Sequence, residues 1–175
     1  MTIHEYGDRD KPHILLVHGM WMCHEMMLPY VEKMRNDYHI IAPDLTGHGD
    51  DMGNFSGAEV DAIKIGKWLA DHDIKTVDLM FSASLGCVVA MYIIADSPWL
   101  TVKCSVMEGA ALTRMRGVEW MFRAMMGGMQ KHHDAIYKMY SSVSVNDGVA
   151  KKIADSMGRT DKKALVCMVH TCNSF

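Results

Sequence analysis

The first two-thirds of the chain alternates between short apolar runs and longer segments whose apolar residues recur at helical spacing. Strands are predicted at 2–6, 14–17, 39–42, 77–81 and 104–107. The central runs lack polar alternation, which is typical of strands covered on both faces of a sheet. Helices are predicted between them at 26–34, 57–72 and 85–95. Strands separated by helices of this length need crossover connections, so the pattern predicts an α/β fold with a mainly parallel sheet and helices on both faces.

The strand signal disappears beyond about residue 113, and only helical spacing remains. Helices are predicted around Met115 to Met129, at 133–140, from Asn146 or Asp147 to just before Gly158, and after Thr160-Asp161. A run of strands followed by a run of helices indicates two parts. We therefore expect an α/β core at 1–112 and a helical cap, or lid, at 113–175.

Composition narrows the class of protein. The 175 residues suit one domain, or one domain with an appendage, and a formal charge of -3 without a basic run argues against a nucleic-acid partner. The five cysteines are an odd number without CxxC spacing, which favours free thiols over a disulfide framework or a cysteine zinc site. No signal-peptide core or apolar run of about 18 residues is present, so no membrane partner and a cytoplasmic location are predicted.

The strongest chemical signal is Ser82-Ala83-Ser84-Leu85-Gly86, which lies between a predicted strand and a predicted helix. A G-x-S-x-G sequence in this context forms a tight turn that exposes the serine hydroxyl above a sheet. Here Ser82 replaces the first glycine and is still small. The N–H of Leu85 would lie at a helix start, where it can stabilise an oxyanion. Alone, the motif fits an ordinary strand-to-helix turn about equally well.

Two further motifs follow earlier strands. His18-Gly19-Met20 follows the strand at 14–17, and the loop after such a strand supplies a second oxyanion N–H. Met20 is the first candidate for this donor and Trp21 is the next. The segment 43–50, PDLTGHGD, suits a tight loop beside the site, in which His48 is expected to orient backbone. Each motif alone is also compatible with a structural glycine turn.

In this order and at these spacings, HGM, PDLTGHGD and SASLG resemble the α/β-hydrolase superfamily, and in particular its serine esterases with a helical cap. The specific motifs cover about residues 14–110, and 113–175 resemble the family only in their helical character. The resemblance implies that Ser84 is the nucleophile and that Met20 and Leu85 form the oxyanion hole. It implies no metal and no organic cofactor.

The family places its triad acid and histidine on loops after later strands. The sequence pattern shows no such later strands. We therefore expect the N-terminal portion of the fold, with the C-terminal strands missing. Glu108 ends the strand after the nucleophile, where some relatives carry the triad acid, but a solvated strand-end carboxylate is the alternative. His132, His133 and His170 lie in the predicted lid and are weak candidates for the base.

These observations predict a hydrolase of carboxylic esters or thioesters that works through a Ser84 acyl-enzyme, with an acyltransferase on the same scaffold as a close variant. The alternative is a catalytically incomplete α/β-hydrolase-like fragment or binding protein, whose open sheet edge would favour homo-oligomers. The 18 methionines fill a core or line an adaptable apolar pocket. If the methionines line a pocket, we expect Trp21, Met121 and Met125 to contact a small ester-like substrate.

Overall fold

The computed structural model describes residues 1–110, 119–142 and 146–173. Its main sheet has five strands, in the order β1-β3-β2-β5-β7. They are β1 (Thr2–Tyr6), β2 (His13–Val17), β3 (His39–Asp44), β5 (Leu79–Ala83) and β7 (Ser105–Glu108). All neighbouring pairs are parallel except β1 with β3, which is antiparallel at one edge. The predicted α/β fold with a mainly parallel sheet is confirmed.

The register of the parallel strands brings their carboxyl ends together. Val17 at the end of β2 pairs with Ser82 in β5, and Ala83 pairs with Glu108 at the end of β7. The apolar residues of β2 and β3 are buried because both strands have neighbours on both sides and helices over the sheet. The loops that leave β2, β5 and β7 therefore meet at one edge.

Helices follow the strands nearly as the sequence predicts. They are α1 (Leu28–Met34), α2 (Ala58–Asp71), α3 (Leu85–Asp96), α4 (Glu119–Gln130), α5 (His133–Ser142), α6 (Asp147–Arg159) and α7 (Lys162–Asn173). A short 3₁₀ helix, His24–Met27, precedes α1. None of the helices within the described ranges is long and apolar enough to cross a membrane.

The strand predicted at 77–81 is two strands. Asp78 interrupts it, because its backbone N–H donates to His13 O at 2.8 Å and its carboxylate accepts the His13 N–H at 3.0 Å. Before the break, β4 (Thr76–Val77) pairs with β6 (Thr101–Val102) in a separate small sheet. After it, β5 joins the main sheet. A polar side chain that bonds to a neighbouring backbone thus redirects the chain.

The helical segments pack on the core through two apolar clusters, one of which buries Ala164 and Met168 of α7 against the main core. The other cluster joins Trp21 and Cys23, from the loop after β2, to side chains of α5, α6 and α7 such as Ile136, Ile153 and Val169. The division at 112/113 stays a prediction, since it falls at 111–118, outside the described residues. Met115 and Val118, which contributed to the predicted first cap helix, lie in the same range.

The predicted helix boundaries in this region are partly right. Asn146 is the N-cap of α6, and its side-chain oxygen accepts the N–H groups of Gly148 and Val149. The predicted end before Gly158 is wrong, because α6 continues to Arg159. A Cβ at Gly158 would meet nothing within 4 Å, so this glycine is an ordinary exposed helical residue and does not terminate the helix.

Candidate active site

Ser84 lies at the junction of β5 and α3, in the conformation expected of a nucleophile elbow. Its backbone has φ 48° and ψ -114°, a region that residues with a Cβ rarely adopt. Two hydrogen bonds hold this turn: Ser84 N–H donates to Glu108 O at 2.8 Å, and Cys87 N–H donates to Ser84 O at 2.9 Å. The residue is exposed, and its hydroxyl has no hydrogen-bond partner among the described residues. The strained turn therefore presents a free hydroxyl to solvent.

Close packing around the turn explains its small residues. A Cβ on Gly86 would lie 2.5 Å from the carbonyl oxygens of Val17 and His18, so α3 approaches β2 too closely for any side chain there. A Cβ on Gly19 would lie 3.3 Å from Ser84 Cβ. Ser82, which replaces the first glycine of the motif, is fully buried. The loop after β2 and the turn after β5 are thus in direct contact.

Two backbone N–H groups near Ser84 lack partners within the described ranges. Leu85 begins α3, and the first N–H groups of a helix have no intrahelical acceptor. Met20 follows Gly19 in a turn that the Met22 N–H closes by donating to Gly19 O at 3.2 Å. Neither the Leu85 N–H nor the Met20 N–H donates to a described group. Both predicted oxyanion donors are therefore available to a ligand.

His18 and His48 position loops. His18 is fully buried, its Nδ1 donates to Gly19 O at 2.7 Å and its Nε2 accepts the Leu45 N–H at 3.0 Å. His48 is also buried, and its Nδ1 donates to Thr46 O at 3.1 Å. Burial lowers the pKa of both imidazoles, that of His48 to about 4 with a further contribution from His18. The bond from His48 to a backbone carbonyl fits the backbone-orienting role predicted for it.

The structure does not complete a triad from the described residues. Glu108 lies beside Ala83 in the sheet, one residue from the nucleophile, but its side chain is exposed and has no described partner. His133 pairs with Asp155 at 2.9 Å, and His170 Nδ1 lies 3.6 Å from Glu119. His132 is exposed. No histidine of the described ranges donates to or accepts from the Ser84 hydroxyl.

The three residues predicted to contact substrate lie in different surroundings. Trp21 is 3% exposed, has φ 55°, and packs its indole into the cluster with α5, α6 and α7. Its carbonyl oxygen accepts the Tyr140 hydroxyl at 3.4 Å, so it fastens the oxyanion loop to the helices. Met121 and Met125 are 51% and 47% exposed on α4. Trp21 is thus buried between the loop after β2 and the helices, whereas the two methionines are exposed.

The four clefts seen at described residues do not include Ser84. One of about 260 Å³ lies between α2 and α3, and Ala62, Gly66 and Trp99 are among the residues that line it. Ser84 does not line it. The backbone geometry of the turn is a better guide to the candidate site here than concavity, because Ser84 is exposed.

The sequence did not reveal the network around Asp44. This carboxylate is fully buried and accepts the backbone N–H groups of His24 and Asp50, each at 2.8 Å. The rings of His4 and His24 also donate to it. Burial alone would raise the pKa of Asp44, but these hydrogen bonds outweigh it and hold the pKa well below its usual range. From the sequence, only the position of Asp44 in a tight loop could be predicted.

Comparison with known proteins identifies the family. The model of the alpha/beta hydrolase family matches residues 14–162 of the chain. The chain belongs to this family. No curated protein sequence matches it. The α/β-hydrolase membership that the three motifs predicted is confirmed.

Solved α/β-hydrolase structures share the fold. An α/β-hydrolase family protein from Desulfitobacterium hafniense matches with a TM-score of 0.75 at 18% identity, over 98% of this chain and 72% of its own. An N-acyl homoserine lactonase matches with a TM-score of 0.72 at 17% identity, over 98% of this chain and 66% of its own. A thermophilic esterase from Thermogutta terrifontis matches with a TM-score of 0.71 at 14% identity, over 98% of this chain and 66% of its own. The α/β hydrolase of 175 residues therefore spans about two-thirds of these proteins.

Proposed function

We propose that this α/β hydrolase cleaves carboxylic esters or thioesters through an acyl-enzyme on Ser84. The observation that carries the proposal is the strained backbone of Ser84, with φ 48°, at the junction of β5 and α3. A non-glycine residue persists in such a conformation only where its surroundings enforce it, and such strain concentrates at functional sites. The free N–H groups of Met20 and Leu85 support the same proposal.

The chemistry follows from these groups. Ser84 Oγ attacks the substrate carbonyl carbon while a base takes the hydroxyl proton, and the carbonyl oxygen becomes an oxyanion. The N–H groups of Met20 and Leu85 donate to that oxygen, and losing one such donor costs about 10²–10³ in rate. The C–O or C–S bond then breaks and the alcohol or thiol leaves with the proton. Water attacks the acyl-enzyme and releases the acid and free Ser84.

The remaining triad members are proposed by position. Glu108 is our candidate for the acid, because its register with Ala83 places it next to the nucleophile. The family runs in the order serine, acid, histidine, so the base would follow Glu108 in the chain. His132, His133 and His170 follow it, but none of them contacts Ser84 through a described bond. The activity of the whole protein is therefore a proposal, as is the identity of its base.

The substrate class rests on the fold and on the exposed methionines. The solved relatives include an esterase and an N-acyl homoserine lactonase, and a lactone is a cyclic ester. Met121 and Met125 offer flexible apolar contacts for a small acyl or alcohol group. The reaction as written needs no cofactor. The five free thiols favour a cytoplasmic location.

A second candidate function is that of a binding protein which retains the fold without turnover. One observation favours it: the Ser84 hydroxyl has no histidine partner within the described ranges. Such a protein would bind a small apolar ligand or another chain. An acyltransferase would share the acyl-enzyme step and differ only in the acceptor that replaces water.

Labelling with a fluorophosphonate probe tests the proposal. We expect the intact mass to rise by one probe adduct in the wild type and in Ser105→Ala, a control at another exposed serine. We expect no adduct in Ser84→Ala. If the adduct forms on a protein whose starting mass is near 19.7 kDa, the base that activates Ser84 belongs to this chain. An adduct that survives Ser84→Ala would contradict the proposal, and no adduct at that mass would favour the binding protein.

A further inference from the structure

Four potential metal ligands converge on the side of the sheet where β1 pairs with β3. His4 comes from β1, His24 from the 3₁₀ helix, Asp44 from the end of β3, and Asp50 from the loop after it. One ligand atom from each lies within 4.8 Å of those of the other three. His4 is partly exposed, whereas His24 and Asp44 are buried. The hydrolase chemistry proposed for Ser84 uses none of the four.

Three of the distances between ligand atoms are close to those around a four-coordinate ion. Zinc binds histidine nitrogen and carboxylate oxygen at about 2.0–2.2 Å, which separates tetrahedral donors by roughly 3.3–3.6 Å. Asp44 Oδ2 lies 3.1 Å from both His4 Nε2 and His24 Nδ1, and Asp50 Oδ2 lies 3.7 Å from His4 Nε2. Imidazole together with carboxylate is a ligand set that suits zinc and its first-row neighbours.

The surroundings hold these ligands in place. Backbone N–H groups of His24 and Asp50 bind the two oxygens of Asp44. Lys152, from α6, pairs with Asp50 Oδ1 at 2.7 Å and leaves Oδ2 facing His4. Ligating carboxylates commonly carry such outer hydrogen bonds. Lys152 also pairs with Glu25, so this one ammonium group is shared by two carboxylates, while Asp44 binds the two histidine rings instead.

We propose that His4, His24, Asp44 and Asp50 form a binding site for one Zn²⁺ ion, which ties β1 to the two loops. The rings of His4 and His24 are stacked, with centroids 3.4 Å apart and planes within 14°. Parallel rings cannot both direct an in-plane lone pair at one ion, so His4, the more exposed ring, turns when the ion binds. Each ring nitrogen that now donates to Asp44 must lose its proton to bind the ion, and the neutral imidazole then carries its one proton on the other ring nitrogen. The site is structural, since the protein supplies all four ligands.

Zinc titration of the tag-free, chelator-treated protein tests the site. We expect calorimetry to show one Zn²⁺ per chain, and Co²⁺ in its place to give the visible absorption bands of four-coordinate cobalt. His4→Gln and Asp50→Asn change the two most exposed ligands, so both variants should fold. Each should lose at least about tenfold in Zn²⁺ affinity, since changes even to outer-shell residues cost that much. Mg²⁺, which prefers oxygen ligands, should not bind with this stoichiometry.

His132→Gln is the control, because it removes an exposed histidine from another surface. It should bind Zn²⁺ as the wild type does. Absence of stoichiometric Zn²⁺ binding would overturn the proposal. So would unchanged affinity in His4→Gln and Asp50→Asn, or an equal loss in His132→Gln. Circular dichroism checks the fold of each variant. No outcome depends on ester hydrolysis, so the zinc site and the hydrolase proposal stand or fall separately.

Discussion

At the scale of single residues, the five free cysteines differ sharply in their surroundings, and this difference predicts their reactivity. Cys104 is exposed, just before β7. Burial raises the pKa of the other four thiols, that of Cys172 to about 11. Because the thiolate is the nucleophile, brief exposure to iodoacetamide near neutral pH should alkylate Cys104 alone. Intact mass spectrometry should show one adduct.

Two variants test whether Cys104 is the thiol that reacts. Cys104→Ser should remain unmodified during the same exposure, and Cys172→Ser should take up one adduct, as the wild type does. Two or more rapid adducts in the wild type, or an adduct in Cys104→Ser, would show that buried thiols are accessible. The full or partial burial of Cys23, Cys87, Cys167 and Cys172 in the structure would then not hold in solution.

Residues that act together were predictable only where they are neighbours in the chain. The turn around Ser84 could be identified because its small residues, its strand and its helix lie within one contiguous segment. The network on Asp44 could not, because His24 and His4 lie 20 and 40 positions away. Only the antiparallel pairing of β1 with β3 brings His4 to the carboxylate. Single-sequence patterns do not encode that pairing.

At the scale of elements, the approach of α3 to β2 depends on Gly86. A Cβ there would lie 2.5 Å from two backbone carbonyl oxygens of β2 and its loop, which cannot move independently of the sheet. We therefore expect Gly86→Ala to lower the free energy of unfolding by about 1–3 kcal/mol, the usual cost of overpacking. Urea denaturation of the variant and the wild type measures this difference.

Gly128→Ala is the matched control for Gly86→Ala. Gly128 lies in α4, and a Cβ there would meet nothing within 4 Å. Alanine favours a helix interior over glycine by about 1 kcal/mol, so this variant should be as stable as the wild type or more stable. Equal losses in both variants would mean that the contact with β2 is not what excludes a side chain at position 86.

The sequence predicted where α2 lies but not which face it buries. Val60 and Ile63 are 37% and 60% exposed although they are large and apolar. The helix buries Ile65 and Leu69 together with small residues, among them Ala62 and Gly66. Small side chains let two helices pack closely, and α2 packs against α3.

At the scale of the whole molecule, the order of the strands was only partly predictable. Parallel pairing followed from the alternation of strands and helices, because crossover connections require it. Nothing in the pattern showed that β1 would pair antiparallel with β3 and form one edge of the sheet. Among the described residues, β7 is the last strand in chain order and forms the other edge of the main sheet.

Within the described ranges, β7 pairs with β5 on one side and has no strand on the other. Val106 in this strand is 45% exposed. An unpaired edge with an exposed apolar side chain is a template for pairing with another chain, and lysine on an edge opposes it. We expect the 175-residue protein to self-associate with rising concentration in analytical ultracentrifugation, and Val106→Lys to weaken association about tenfold or more. Ile63→Lys, which adds the same charge at an exposed apolar site on α2, should associate as the wild type does. A wild type that stays monomeric, or equal weakening by both substitutions, would show that the β7 edge does not mediate contact between copies.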